Sequence, residues 1–486
     1  TPMTALDKHA EDHPPNVRIM TDADRAKSQK LSKEISPLDK QLTEYRKKND
    51  SVFKKWLNKN QKSVQLPAGK DVKAITKILK VAKPSNKQMN QLRDYYFAEI
   101  DNEGAKLTKK LAPLKKELKE INGRSPTTLV MKENEDKEAH AHILSRGDYS
   151  ARLEKVTPDT PAALPSMGDL PRNRLGLAKW LTAKENPLPA RVTVNRYWFY
   201  IFGEGIVKTT GDFGVMGERP THPKLLDWLA ADFVESDWDL HHLLRTIVTS
   251  STYRQSSNVS KEKQELDPAN KWLARGPRYR LDAEQLRDMA LQASDLLHAK
   301  LGGPPVKPYQ PEGIWSVISM KKSNTRLYKP GSGDDLYRHS LYTFWKRTAA
   351  PPSMEIFNAP DRTTSCVKRE ITNTPLQAFV LMNDPQFVEA SRNIAQLAMK
   401  KAETPEEIIN NIARLLISRP MRESELKVVQ STYKAALEEY LSSPEEAKKL
   451  INVGNSTADS ELSITQLAAW TVVANQILNM DETLNK

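Results

Sequence analysis

The chain has 486 residues, with 74 Lys and Arg against 61 Asp and Glu, a formal net charge of +13, and a single cysteine. One cysteine cannot close an internal disulfide, nor supply a Cys-rich zinc site, an iron–sulfur cluster or a C-x-x-C-H haem attachment. No window approaches 18 consecutive apolar residues, so nothing reads as a transmembrane helix. The low glycine count, 18, disfavours a glycine-rich nucleotide-binding fold.

The charge is unevenly placed. Residues 1–125 hold 28 Lys and Arg against 16 Asp and Glu, a balance of +12, which leaves +1 for residues 126–486. The first part carries one of the nine tryptophans, Trp56, and the other eight lie between Trp180 and Trp470. A basic arm is thus joined to a nearly neutral body with the aromatic content of a packed core. The chain opens TPMTALDKHAEDHPP, with no initiator methionine, basic n-region or apolar h-region, which reads as a fragment or a processed product.

Residues 22–48 and 86–122 read as long, sparsely apolar helices. Leu107, Leu111, Leu114, Leu118 and Ile121 recur at three- and four-residue spacing, a narrow stripe suited to an antiparallel hairpin. Between them, DVKAITKILKVA is a shorter helical piece. TTLVM (127–131) and HAHILSRGDY (140–149) read as β segments, and the Pro-rich 156–171 as a connector. From about Asn173 helix candidates follow one another: RNRLGLAKWLTA, PARVTVNRYWFYIFG, HPKLLDWLAADFVES with Thr221 as cap ahead of Pro223, and LHHLLRTIVTSSTYR. LDAEQLRDMALQASDLLHAKLGG (281–303) is another. Residues 304–368 are proline-punctuated, with one strand expected at SLYTFWKRT (340–348). TPLQAFVLMNDPQFVEASRNIAQLAMKKA and three further helices close the chain. The expected fold is mainly α (α+β): a lysine-rich helical hairpin over 1–125, a small β junction over 126–172, and a large helical domain over 173–486.

GEG (203–205) and DFG (212–214) lie too close together for a kinase, which also needs a strand lysine and an HRD loop; GEG reads instead as a helix terminus. His140 and His142 share one strand face and fit a metal site with Glu138 or Asp148 as a third ligand, or are simply surface histidines. His241 and His242 point about 100° apart on a helix and do not chelate as a pair.

Two polar segments are candidate sites. Arg191, Asn195, Arg196, Asp212, Glu218, His222 and Asp227 lie among Trp198, Phe213 and Trp228. Asp212, Glu218 and His222 with Arg196 could perform acid–base work on an anionic polysaccharide; alternatively Asn195 and Arg196 bond loop carbonyls and hold the turn at 203–221. The second segment, APDRTTSCVKREITNTP (359–375), gathers Asp361, Arg362, Cys366, Arg369, Glu370, Asn373 and Thr374, with Asn373 or Thr374 placed to cap a helix. Neighbouring positive charge would make Cys366 a reactive thiol; a small, buried, inert cysteine is the other reading. The basic arm fits an anionic polymer or acidic partner and lacks a nucleic-acid reading module, so nucleic acid is not the expected partner.

The stretch 186–257, NKWLARGPRYRLDAEQLRD (270–288), GGPPVKPYQPEGIW (302–315) and 340–392 together resemble the planctomycete-type, cytochrome-c-associated domain of unknown function, over roughly residues 170–486. That resemblance implies a larger secreted parent, export to the periplasm or cell surface, and a c-type cytochrome module or other cell-envelope protein as partner. It implies no cofactor in this chain, since haem c would sit on another segment or a partner chain. It brings no established catalytic residues. The expected role is a non-catalytic structural or docking module.

Overall fold

The computed structural model describes residues 16–64, 66–67, 72–81, 84–131, 140–323, 325–346 and 348–485. The chain folds as two compact units, residues 1–138 and 139–486, and both are mainly helical. Glu138, one candidate metal ligand, lies outside the described residues.

In the first unit α1 (Asp22–Lys48) and α5 (Asn102–Arg124) form the antiparallel hairpin. Leu31, Ile35 and Leu42 meet Leu111 and Ile121 along one seam, flanked by Leu107, Leu114 and Leu118. The pairs Asp24–Arg124 and Asp39–Lys115 fix the antiparallel sense. The far end is a second core built by α2 (Asp50–Lys62), α3 (Val72–Leu79) and α4 (Asn86–Tyr95), where Phe53, Leu57, Ile75, Leu79, Leu92 and Phe97 pack together.

Sequence reading missed α2, although Phe53, Trp56 and Leu57 carry helical spacing, because polar residues surround them. The expected 86–122 helix is interrupted: a π-turn runs from Tyr96 to Ile100 and Asp101 starts α5 by accepting from Gly104 N at 2.7 Å. Strand β1 (Asn16–Arg18) pairs antiparallel with β2 (Thr127–Leu129), so the first β segment of the expected junction closes this unit.

The second unit opens with a β3 (Ala141–Leu144) and β4 (Arg152–Val156) hairpin. Helices α6 (Arg174–Leu181), α7 (Leu188–Phe202), α8 (Pro223–Glu235) and α9 (Leu240–Val248) follow. Val194, Trp198 and Phe202 of α7 meet Leu226, Leu229 and Phe233 of α8 and Leu243 and Ile247 of α9, with Ile206 and Val207 of the intervening loop sealing the edge.

After the short α10 (Lys261–Leu266), α11 (Ala283–Ala293) begins the larger core. It is shorter than expected, ending at Ser294 ahead of a left-handed Asp295 rather than at the Gly302–Gly303 pair. Residues 294–374 are irregular apart from α12 (Ile314–Ile318), α13 (Pro352–Ile356) and short 3-10 turns. The strand expected at 340–348 does not form: Ser340–Tyr342 is a 3-10 turn, and Thr343 and Lys346 make only isolated bridges. The segment pairs by main chain with Val306, whose N–H donates to the Tyr342 carbonyl at 2.8 Å and whose carbonyl accepts from Phe344 N at 2.7 Å, too short a pairing to make a strand.

The remaining helices are α14 (Pro375–Asn383), α15 (Pro385–Met399), α16 (Pro405–Ile417), α17 (Glu423–Ser442), α18 (Pro444–Ile451), α19 (Ile464–Leu478) and α20 (Asp481–Leu484). The single helix expected from 374 divides at Asp384, which ends α14 and caps α15 through Gln386 N. Helix α19 is buried on all sides, from Leu467 through Trp470 to Leu478, as expected of a helix at the centre of a bundle. Trp470 stacks on Tyr433 of α17 at 3.8 Å between centroids. Among the described residues no helix is long and apolar enough to cross a membrane.

Candidate functional site

Helix α7 ends where its sequence says it must. Gly203 is left-handed (φ 76°) and lies so close to Tyr279 that a Cβ would come within 2.8 Å of that ring. The chain then folds back under α7. Asn195, 1% exposed, donates from Nδ2 to the Val207 carbonyl at 3.0 Å and accepts from Val207 N at 2.8 Å. At the other end of the loop, Thr221 N donates to the Ile206 carbonyl at 2.9 Å. His222, rather than the expected Thr221, is the residue preceding α8.

Inside the loop Thr209 is the knot. Its hydroxyl donates to the Asp212 carbonyl at 2.9 Å and accepts from Glu218 N at 2.9 Å. The Asp212 carboxylate accepts from Gly214 N at 2.7 Å. Val215 and Met216 at the tip are fully exposed.

The second polar segment lies beside the first: a Cβ on Gly211 would stand 3.9 Å from Val367, and Lys368 Nζ lies 5.7 Å from the Phe199 ring centroid. Asp361 accepts from Thr363 N at 2.9 Å and Oγ1 at 2.6 Å, which holds its carboxyl below the usual range, the hydroxyl contributing most. Arg362 stacks over Trp345 at 4.3 Å. Arg369 makes a forked ion pair with Glu284 of α11, the longer arm at 3.2 Å. Cys366 is exposed, its thiol donating to the Lys368 carbonyl at 3.3 Å, so the expectation of a buried cysteine is corrected. Thr374 stands at the head of α14, its N–H donating to Gln377 Oε1 at 3.4 Å.

A cleft of about 710 Å³ opens between these segments. Loop 203–222 contributes Lys208, Glu218 and Arg219, and the turn before α14 contributes Thr372 and Asn373. Residues 257–280 form the third wall, and Asp481 and Asn485 the floor. Of the candidates named from sequence, Glu218 and Asn373 face this cleft; Asp212, His222, Arg196, Asp361, Arg362, Cys366 and Arg369 do not line it. Arg196 is exposed on α7, and His222 Nδ1 lies 3.0 Å from Thr221 Oγ1.

The third wall was missed as a site, although its RGPRYR run was the available signal. Asp267, nearly buried, accepts from Lys271 N at 2.9 Å and Trp272 N at 2.8 Å. Arg275 returns to the Asp267 and Pro268 carbonyls, both at 2.9 Å. Tyr279 donates to the Tyr200 carbonyl at 2.9 Å, and burial pushes its hydroxyl up to about 12. Leu281 N reaches the Leu484 carbonyl at 3.0 Å, which brings the C-terminal turn to the cleft floor.

The histidine pair is elsewhere, on the β3–β4 hairpin. The His140 and His142 rings lie 5.9 Å apart edge to face, and His142 Nδ1 is 3.0 Å from the Leu153 carbonyl. Asp148 is turned onto Ser150 N and Oγ at 2.9 and 2.7 Å. Among the described residues no group of three His, Cys, Asp or Glu side chains is placed to hold a metal.

Fold and site together define a mainly helical protein with an open cleft whose lining mixes cations, amides, carboxylates and apolar groups. Its family is PSD1, described as a protein of unknown function (DUF1553), whose model matches residues 173–433; the chain belongs to that family. No curated protein and no solved structure matches the chain.

Proposed function

We propose that this chain is a non-catalytic binding module whose working surface is the cleft. The observation that carries the reading is how the polar side chains are used. Asn195, Asp212, Asp361 and Arg369 each hold main chain or a neighbouring partner, while the cleft is lined by cations, amides and apolar groups together with three carboxylates, Glu204, Glu218 and Asp481. Acid–base catalysis needs two titratable groups placed across a ligand. Of Asp212, Glu218, His222 and Arg196, only Glu218 is there, and the other two carboxylates of the cleft, Glu204 and Asp481, are each paired with a cation, Lys208 and Arg278.

The setting follows from the sequence resemblance: the periplasm or cell surface of a planctomycete-type cell, in an assembly with a c-type cytochrome whose haem is bound outside this chain. Two measurements test the reading. Incubating the chain with panels of neutral and anionic glycans and following both binding and product mass should return every bound ligand unchanged; turnover lost in Glu218→Gln contradicts it. Purifying the parent protein from its native envelope fraction should bring down a haem-staining c-type partner, and its consistent absence contradicts the setting.

A second reading, capture of an anionic polymer by the N-terminal hairpin, is favoured by the exposed stripe Lys33, Lys40 and Lys47 on α1. Their seven-residue spacing puts them about 10 Å apart on the face opposite Leu31, Ile35 and Leu42.

A further inference from the structure

The charges lining the cleft do not balance. Six cationic side chains, Lys208, Arg219, Lys271, Arg275, Arg278 and Arg280, face three carboxylates, Glu204, Glu218 and Asp481. Lys208 pairs with Glu204 at 3.6 Å, Arg278 pairs with Asp481, and Arg275 is taken up by two main-chain carbonyls. Among the described residues Arg219, Lys271 and Arg280 remain without an ion-pair partner, facing Glu218, with the Asp267 carboxylate behind Lys271.

Arg280 is the most informative of the three. It sits over the Phe357 ring at 5.7 Å, and its Nε is buried with no hydrogen-bond partner among the described residues. It also lines the small pocket adjoining the cleft, next to Phe199 and Gln285. Burial pushes its guanidinium below the usual arginine range, with Asp481 acting in the opposite direction. A half-buried guanidinium with one donor unused costs free energy unless an acceptor arrives.

Asn270 on the same wall presents the complementary vacancy. Its Nδ2 donates to the Arg275 carbonyl at 2.9 Å, while its Oδ1 is buried with no donor among the described residues. Asn373, Asn485 and Gln264 add further amides around the opening. Guanidinium forks suit oxyanions, and amides suit hydroxyl groups that both donate and accept.

We infer that the cleft is a binding site for a hydroxyl-rich ligand carrying carboxylate, sulfate or phosphate groups, with Arg280, Arg219 and Lys271 receiving the anion and Asn270 a hydroxyl. The inference rests on the binding-module reading and specifies its ligand. A sugar acid, a sugar phosphate or a sulfated sugar unit of a longer chain all present this chemistry. The cleft volume, about 710 Å³, lies in the range that encloses a small-molecule ligand.

The test is calorimetric titration of the full chain with four probes: a hexose phosphate, a uronic acid disaccharide, a sulfated disaccharide, and a neutral disaccharide of the same size. At least one anionic probe should bind tenfold or more tightly than the neutral one. Lys271→Glu and Arg219→Glu, both at solvent-facing positions, should each weaken it at least tenfold, and Arg280→Gln should abolish it. Because Arg280→Gln touches a packed side chain, its effect counts only alongside the two surface variants. Hexose phosphate binding alone identifies a small-molecule ligand, and disaccharide binding identifies a glycan unit; both support the inference. Binding of the neutral probe alone overturns the anion assignment while leaving a binding module in place. Anionic binding unaffected by Lys271→Glu and Arg219→Glu overturns the site, and turnover of a bound anionic probe overturns the non-catalytic reading while leaving the anion assignment standing.

Discussion

Asn195 holds Val207 by both of its main-chain groups, twelve residues downstream and inside a sealed core. This clamp, with Thr221 on Ile206, decides where the 203–222 loop can run and therefore where Glu218 and Arg219 stand at the cleft. Gly205 completes it, since a Cβ there would come within 2.7 Å of the Asn195 amide.

Replacing Asn195 with Ala leaves a buried N–H and a buried carbonyl unpaired. The expected cost is roughly 2–4 kcal/mol, read as a lowered unfolding midpoint of the second unit by denaturant or heat. A loss below about 0.5 kcal/mol would mean that the clamp does not hold the loop.

Two glycines make an internal comparison. Gly203→Ala forces a left-handed alanine against Tyr279 and should destabilise by more than about 1 kcal/mol. Gly123→Ala, near the end of α5 with nothing within 4 Å of its new methyl, should stabilise the hairpin by up to about 1 kcal/mol. Differential scanning calorimetry of the two variants should show shifts of opposite sign.

Acid stability should depend on Arg419. Its hydrogen bonds to Glu425, with burial opposing them, hold the Glu425 carboxyl down to about 2, and Glu482 is lowered by the same guanidinium. A carboxyl lowered on folding stabilises the native state above its unfolded value near 4.5. That contribution is lost as pH falls from about 4.5 toward 2. Unfolding midpoints measured across that window should fall more steeply in the wild type than in Arg419→Met; parallel curves would refute the linkage.

The lysine stripe of α1 predicts salt-sensitive retention on an anionic polymer column. Lys33→Ala, Lys40→Ala and Lys47→Ala together should lower the eluting salt concentration and flatten the dependence of affinity on salt. Elution unchanged by the triple variant would remove the hairpin as the contact.

The hairpin was legible because Leu107, Leu111, Leu114 and Leu118 repeat a local pattern, and local patterns survive without neighbours. Gly203 and Thr374 were legible for the same reason, since terminus chemistry is written within four residues. Helix breaks at Asp101 and Asp384 were missed because apolar spacing ran through them and hid the capping side chains. The deepest charges were invisible in sequence. Glu389 and Arg392 are each 1% exposed on α15, where Glu389 accepts from Tyr337 Oη at 2.8 Å and Asn455 N at 2.9 Å, and Arg392 reaches the Ile451 carbonyl at 2.8 Å. Arg287, also buried, is pushed down to about 10 by that burial. The main-chain and hydroxyl groups named for Glu389 and Arg392 lie more than 50 residues away, as do the cleft's Lys271, Arg280 and Asp481 from Glu218. Spacing along the chain carried no trace of that convergence.

The most direct test is to locate a bound anionic probe on the full chain, by crystallography or by photo-crosslinking with peptide mapping of a sulfated or uronic acid disaccharide. Contacts at Arg219, Asn270, Lys271 and Arg280 are the predicted result. Contacts confined to the lysines of the N-terminal hairpin, with the cleft left bare, would contradict the account.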